Sequence, residues 1–322
     1  MSDDESCAVS EVPYQRELCH TSDGAVPNIT TTFASSEEKR YNLARFALSF
    51  MVVKMNQGQQ GSVKDSKRRL HAYCVGQAKS GTASLWGACR TQFKAAHEPE
   101  RSEVLAKALQ IADGSISDDE VVDWLKKRDE RLQLDVDISW CNYFLLDHLV
   151  DTFPSASYIV LIRDCYTWME SVIGHMLTRE IPSDAREFME FWFRTAEHPH
   201  GEGEEQLHEA GLFSLAAYLT TWRDHIVKCE ARIPVDCRLI VRTHEFTAGL
   251  PAIAAFLGVA AEELDCDQCQ LNQGTWEGRI ADYVDTDLVE SVVNRTCRHT
   301  MSQHFPEVGG LEDAYRLWSE RR

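Results

Sequence analysis

The stretch CVGQAKSGTASLW, residues 74–86, contains the strongest indication of the fold. It overlaps LHAYCVG at 70–76, a short apolar run ending in glycine, which predicts a buried strand. TASLWGACRTQF at 82–93 then predicts a helix. A glycine-containing loop between a strand and a helix is a place where backbone N–H groups and a helix N-terminus bind an anion. The stretch therefore predicts a phosphate-binding loop.

The position of Lys79 distinguishes this loop from the loop that binds ATP. The ATP-binding pattern G-x-x-x-x-G-K-[ST] places the lysine after the second glycine, followed by a hydroxyl residue that binds magnesium. Here Lys79 precedes Gly81, so the loop is shorter and lacks that magnesium-binding register. The motif alone is also compatible with a strand-to-helix turn whose lysine is solvated.

The composition is that of a globular protein and excludes some partners. The chain has 322 residues, 43% of them hydrophobic and 26% charged, which suits one large domain or two small ones. Its formal net charge of -18 at pH 7 repels nucleic acid and anionic lipid, so we expect neither as a partner. The oligomeric state is left open by the sequence, with a homodimer as one alternative.

The first part of the chain is expected to lie outside the fold. Residues 1–35 show little periodic hydrophobicity and are predicted to be a flexible segment, followed by a single α/β domain over 36–322. The start is acidic and unlike a secretory signal, and ARFALSFMVV at 44–53 is shorter than the roughly 20 residues that span a bilayer. We therefore expect a cytoplasmic protein without membrane insertion, with its 11 cysteines as free thiols.

Strand and helix patterns alternate along the rest of the sequence. Strands are predicted within 93–100, 157–164 and 237–246, and helices within 102–132, 142–153, 167–177 and 213–229. Such alternation predicts a parallel sheet covered by helices on both faces. An acidic stretch with several histidines at 197–211 is expected to form a mobile loop.

A second anion-binding motif follows the clearest strand. In YIVLIRDCYTWMES, residues 158–171, Arg163 stands at the carboxyl end of a buried strand and Ser171 comes eight residues later. A guanidinium and a hydroxyl form a suitable phosphate clamp, and ligands of open parallel sheets bind beyond the carboxyl ends of the strands. An ion pair with Asp164 is the alternative role of Arg163.

Together the motifs resemble those of the PAPS-dependent sulfotransferases, of the soluble type that acts on small molecules. The run KSGTAS at 79–84 is similar to the family's 5′-phosphosulfate loop, and the Arg163/Ser171 pair to its 3′-phosphate motif. RLIVRTHEFTAGLPAIAAFLGV at 238–259 resembles the family's late strand, glutamate-containing turn and FLG helix. The resemblance covers about residues 68–305 in the family's order.

The resemblance implies a fold, a co-substrate and a set of donor contacts. It implies a P-loop-like central parallel sheet flanked by helices, with PAPS as co-substrate, PAP as product, a small-molecule acceptor and no metal. The implied donor contacts are Gln77, Ala78, Lys79, Ser80, Gly81, Thr82, Ala83 and Ser84 in the loop, Arg163 and Ser171 at the second site, and Trp276 and Arg279 in a late loop. The late loop lacks the family's arginine–lysine–glycine run, so a plain surface loop is its alternative. Lys79 would stabilise the negative charge on the oxygen that leaves sulfur.

The base that removes the acceptor proton has three candidates. His97 and Glu98 lie in the stretch that follows the first predicted helix, and the pair is favoured, while Asp137 stands second. The net charge mildly favours a neutral or cationic acceptor, and hydroxyl and amine or guanidine acceptors both remain open.

Two other classes of protein compete with this prediction. The first is another P-loop nucleotide-dependent small-molecule kinase, and the second is a non-catalytic, PAP-binding sulfotransferase-like protein. Cys266 and Cys269 have zinc-like spacing, but no second pair lies close by in the sequence, so no metal site is predicted there.

Overall fold

The computed structural model describes residues 67–179, 183–269 and 278–319. The predicted flexible segment 1–35 and Trp276 of the late loop lie outside the described residues. The division of the chain into that segment and one domain therefore stays a prediction.

A parallel sheet of five strands forms the centre of the described part of the chain. The strands are β1 (Ala72–Cys74), β2 (Ala95–His97), β3 (Val136–Ile138), β4 (Ser157–Ile162) and β5 (Arg238–Arg242). Their order is β2-β3-β1-β4-β5, and all neighbours pair in parallel. The predicted α/β fold with a central parallel sheet is thus confirmed, although β3 was not expected as a strand.

Helices lie between and after the strands. They are α1 (Thr82–Cys89), α2 (Arg101–Ala112), α3 (Asp118–Leu132), α4 (Leu146–Thr152), α5 (Cys165–Thr178), α6 (Ser183–Trp192), α7 (Glu205–Glu209), α8 (Leu215–Arg232), α9 (Phe246–Leu257), α10 (Thr286–Thr296), α11 (Arg298–His304) and α12 (Leu311–Ser319). The helical pattern over 102–132 is two helices, because Gly114 adopts a left-handed φ of 70° and Ser117 caps α3 in a capping box with Glu120. A 3₁₀ helix, Trp140–Leu145, forms the first half of the helix predicted at 142–153.

Alternate residues of β4 face two separate hydrophobic cores. Tyr158, Val160 and Ile162 belong to one core, while Ile159 and Leu161 belong to the other. The first core is completed by side chains of α4, α5 and α8, and the second by side chains of α1 and α9. Both faces of β4 are therefore covered, which explains why its sequence is a continuous apolar run.

The strand order places the two predicted anion-binding motifs side by side. From β1 the chain passes to β2 and β3 on one side, and then crosses to β4 on the other side of β1. The point where the direction reverses lies between β1 and β4, and ligands of open α/β sheets bind there, beyond the carboxyl ends of the strands. The loop after β1 carries Lys79, and the end of β4 is followed by Arg163.

The acidic stretch 197–211 is anchored to the fold. Its Glu204 is buried and accepts hydrogen bonds from the backbone N–H groups of Gly201, at 2.6 Å, and Leu215, at 2.7 Å. The side chain of Leu207 in α7 is fully buried. The expectation of a mobile loop was therefore wrong. It rested on polar composition alone, and composition does not show that the carboxylate of one acidic residue accepts hydrogen bonds inside the protein.

Three further properties concern the described ranges alone. None of their helices is long and apolar enough to cross a membrane. No group of three or more His, Cys, Asp or Glu side chains within them could hold a metal ion. The cysteines that lie there are free thiols, including exposed Cys266 and buried Cys269.

Candidate functional site

The loop between β1 and α1 approaches β4 closely and contains two left-handed residues. A Cβ atom on Gly76 would lie 2.7 Å from the Cβ of Leu161, so glycine is required where the loop passes β4. Lys79 and Gly81 have φ values of 68° and 100°. Alternation between left- and right-handed residues turns successive backbone N–H groups towards one side, which favours an anion. Gly81 is also the N-cap of α1, so the loop ends at the positive pole of a helix.

Hydrogen bonds from the surrounding elements fix this loop. The Ser80 hydroxyl donates to the Gln77 carbonyl at 2.5 Å, the Trp168 indole to the Ala78 carbonyl at 2.9 Å, and the Thr243 hydroxyl to the Ser80 carbonyl at 2.6 Å. The Gln77 amide in turn donates to the carbonyl of Trp222 at 3.0 Å. Because these donors bind loop carbonyls, the negative ends of those peptide dipoles point into the protein and away from an approaching anion.

Lys79 is a partly buried cation among other cations. Burial lowers the pKa of its ammonium group, and the positive charges of Arg179 and Arg163 lower it further. A positive charge in this setting raises the free energy of the ligand-free protein. A bound anion would lower that free energy and raise the pKa of Lys79 again. The site is therefore locally positive in a protein of net charge -18.

Arg163 is held in one orientation where β4 ends. Its Nε donates to the Thr167 hydroxyl at 2.9 Å, and its guanidinium carbon lies 3.9 Å from the centre of the Trp318 ring. Asp164 caps α5 by accepting the backbone N–H of Thr167 at 2.9 Å. Ser171, the second predicted 3′-phosphate contact, lies two turns into α5 and is partly exposed.

His97 ends β2 and contacts the first residue of α1. Its Nε2 lies 3.1 Å from the Thr82 hydroxyl and 4.0 Å from a carboxylate oxygen of Glu98. Burial lowers the pKa of the imidazole, Arg101 adds to that effect, and Glu98 opposes it. A histidine with a lowered pKa is neutral at pH 7 and can accept a proton. Glu98 forms an ion pair with Arg101 at 2.9 Å.

Asp137 lies inside the sheet, on β3. It is 3% exposed, and one carboxylate oxygen accepts from Arg128 at 2.6 Å. The other oxygen accepts from the Asn142 amide at 3.0 Å. Both oxygens are thus engaged in buried contacts, which is the environment of a structural carboxylate.

Of the two late-loop residues predicted to contact the donor, Arg279 lies within the described residues and Trp276 does not. The Arg279 guanidinium lies 3.5 Å from Glu170 and 4.2 Å from the centre of the Tyr315 ring. Glu170 belongs to α5, so Arg279 lies beside the helix that carries Ser171.

Two residues that the sequence analysis missed also lie near Lys79. His175 follows Ser171 by four residues within α5, so these two share a face of the helix, and Arg179 is the extended residue at which the helix ends. Burial lowers the pKa of His175 to about 4, with further lowering by Lys79, Arg179 and Arg101. The four-residue spacing was visible in the sequence and could have indicated His175.

The solved structures that resemble this chain include two sulfotransferases. The first is a sulfotransferase from Alicyclobacillus acidocaldarius, at 17% identity, with 71% of this chain and 94% of that chain covered and a TM-score of 0.40. The second is the sulfotransferase domain of the Synechococcus PCC 7002 olefin synthase, at 16% identity, with 81% and 98% covered and a TM-score of 0.33. No protein-family model and no curated protein matches the sequence.

Proposed function

We propose that this chain is a PAPS-dependent sulfotransferase that acts on a small-molecule acceptor. The observation that carries the proposal is the loop after β1, which ends at the N-terminus of α1 and carries the partly buried Lys79, next to the end of β4 where Arg163 stands. Three cations from a loop, a strand end and a helix end favour a ligand with several negative charges. PAPS has such charges in two places, a 5′-phosphosulfate for the loop and a 3′-phosphate for Arg163.

The proposed transfer proceeds in line through sulfur. The acceptor oxygen or nitrogen forms a bond to sulfur while the bond from sulfur to the bridging oxygen of the 5′-phosphate breaks. That electron pair stays on the bridging oxygen, where Lys79 stabilises the developing charge, and PAP leaves. The acceptor proton passes to a protein base, and positioning supplies much of the remaining acceleration.

We propose His97 as that base. Its partly buried imidazole ends a strand at the same sheet edge as the loop, and it contacts Thr82 of the phosphosulfate motif. Glu98 would support it, since the carboxylate lies 4.0 Å from the ring nitrogen. Asp137 is less suited because its two oxygens are bound by Arg128 and Asn142 inside the protein.

We further propose that the acceptor is a neutral or cationic compound, because the net charge of -18 mildly disfavours an anion. Hydroxyl compounds, amines and guanidines all meet this condition. A cytoplasmic location stays a prediction from the sequence.

The decisive experiment measures which nucleotide binds. Calorimetry should give tighter binding of PAP than of ATP, with PAP affinity unchanged by magnesium or EDTA, and PAP should raise the melting temperature by mass action. Tighter binding of ATP that requires magnesium would support the kinase alternative instead.

Turnover is then tested with labelled PAPS and a panel of acceptors, read by mass spectrometry for an added sulfo group. The panel should pair hydroxyl compounds with amines and guanidines of similar size. Tight PAP binding without transfer to any acceptor would support the non-catalytic alternative.

A further inference from the structure

Two aromatic residues of α12 each cover one of the arginines predicted to contact the donor. The centre of the Trp318 ring lies 3.9 Å from the guanidinium carbon of Arg163, and the centre of the Tyr315 ring lies 4.2 Å from that of Arg279. Residues three apart share a face of a helix, so a single face of α12 makes both contacts. Arg163 and Arg279 are far apart in sequence, and α12 contacts both, as does α5 through Thr167 and Glu170.

The polar ends of the same two rings bind carboxylates at the start and middle of α5. The Trp318 indole N–H donates to Asp164 at 2.8 Å, and the Tyr315 hydroxyl donates to Glu170. Each ring is therefore fixed at its edge by a hydrogen bond while its face covers an arginine. Asp164 is fully buried and Glu170 is 6% exposed, so both anchors are protected from water.

Around Arg163 these contacts form a cycle in which each residue contacts the next. The Nε of Arg163 donates to the Thr167 hydroxyl, which donates to Asp164, and Asp164 accepts from Trp318, whose ring covers Arg163. The guanidinium is thus held at one edge and one face. A planar group that is fixed before the ligand arrives loses less conformational entropy on binding.

Around Glu170 a second set brings Arg279 to the same place. Glu170 accepts the backbone N–H of Ile280 at 2.9 Å, which fixes the chain directly after Arg279. The positive charges of both Arg279 and Arg163 act on this carboxylate, so the two arginines lie in one electrostatic neighbourhood. The two sets together connect α12, α5 and the late loop.

We propose that Trp318 and Tyr315 are positioning residues that make the site selective for nucleotides with a 3′-phosphate. They act through Arg163 and Arg279, which they hold towards the same ligand group. This inference rests on the proposed function, because it takes the ligand of Arg163 to be a 3′-phosphate. It adds α12, which no sequence motif indicated, to the donor site.

The test compares PAP with AMP, which lacks the 3′-phosphate, by calorimetry on the full chain. Trp318→Leu should weaken PAP about tenfold, the scale of losing a desolvated cation–π contact, and change AMP affinity less than about twofold. Trp318→Phe keeps a ring over Arg163 and should lose less than about threefold. Tyr315→Leu should also lower the ratio of PAP to AMP affinity, whereas a purely structural role would weaken both nucleotides alike.

Trp124→Leu is the matched control. Trp124 also lies over an arginine, 5.9 Å from Arg128, and its indole N–H also donates to a carboxylate, Glu103, at 2.6 Å. Its loss should leave the PAP to AMP ratio unchanged.

The outcomes separate this inference from the proposed function. A wild-type protein that binds PAP no better than AMP contradicts the proposed function itself. A PAP to AMP affinity ratio that is the same in Trp318→Leu as in the wild type overturns the role of α12 and leaves the proposed function standing. If Trp318→Leu does not fold, an unchanged ratio in folded Tyr315→Leu overturns it equally.

Discussion

The Thr82 hydroxyl lies 3.1 Å from Nε2 of His97, which joins the first residue of α1 to the last residue of β2. A neutral imidazole has one donor and one acceptor nitrogen, and here Nε2 is the nitrogen that faces the loop. The candidate base is thereby coupled to a residue that is predicted to contact the donor. Binding of PAPS would engage Thr82 and so affect the hydrogen bonding of His97.

We expect His97→Gln to lower kcat by about 100-fold or more, the usual contribution of a general base. A base acts in its neutral form, and burial lowers the pKa of His97 below the usual 6.5. The wild-type rate should therefore be constant around pH 7 and fall only as the pH drops below 6.5. Initial rates from pH 4.5 to 8.5, with labelled PAPS, measure both effects.

His71→Gln is the control for this prediction, since burial also lowers the pKa of His71 but it lies just before β1, at the opposite edge of the sheet. Unchanged turnover in His97→Gln would remove His97 from the reaction. Loss of turnover in His175→Gln would then identify His175 as the base, since burial and the charges of Lys79, Arg179 and Arg101 lower the pKa of its imidazole and keep it neutral.

Lys79→Ala should lower turnover by on the order of 100-fold, the scale of losing one group that stabilises the transition-state charge. PAP affinity should fall by less, because the largest contribution of Lys79 is expected when the bridging oxygen gains charge. Single-turnover kinetics and calorimetry separate the two effects. Lys127→Ala removes a lysine that is 68% exposed on α3 and serves as the control. Wild-type turnover in Lys79→Ala would contradict a catalytic role.

Asp137→Asn should lower the free energy of unfolding by about 1–3 kcal/mol, because it removes the buried negative partner of Arg128, which then keeps only the ion pair with Glu100 at 3.2 Å and the Pro99 carbonyl. Each side chain of this pair is 4% exposed, and the ion pair measures 2.6 Å. Denaturant unfolding measures the loss, and turnover per folded molecule should stay at the wild-type value. Normal stability with lost turnover would instead make Asp137 the base.

The elements that the sequence predicted best are those whose signal is local. β4 is a run of six residues that is almost entirely buried, and Arg163 follows directly after it, so the strand and its end were both visible. β3 was missed because it has three residues with Asp137 in the middle, which breaks the apolar pattern. The carboxylate is satisfied by Arg128 from α3, and no pattern within the strand reveals that partner.

Contacts between distant parts of the chain account for the rest of what was missed. The Trp318 ring lies over Arg163, 155 residues earlier in the sequence, and only the packing of α12 against α5 creates that contact. A tryptophan near the end of an amphipathic helix is usually part of the core, so its residue type gave no indication of a site. The cations Lys79 and Arg163 were predicted from their motifs, whereas the charge of Arg179 near Lys79 was not.

Arg163→Ala should weaken PAP strongly and leave adenosine 5′-phosphosulfate almost unaffected. The second nucleotide lacks the 3′-phosphate, so only PAP loses a charged hydrogen bond. That loss costs roughly 2–4 kcal/mol in a desolvated site, or about 30-fold to 1000-fold in affinity. Ser171→Ala removes one neutral donor and should cost PAP about twofold to tenfold. Calorimetry on both nucleotides with each variant gives the ratios.

Arg242→Ala is the matched control for Arg163→Ala. Arg242 also ends a strand at the carboxyl edge of the sheet, but it forms ion pairs with Glu245 and with Glu307, the latter at 2.8 Å. Because its charge is balanced by these carboxylates, its loss should change the affinities of the two nucleotides equally or leave both unchanged. If Arg163→Ala lowers the affinity for both nucleotides equally, Arg163 is a structural residue like Arg242. The 3′-phosphate would then have to bind elsewhere.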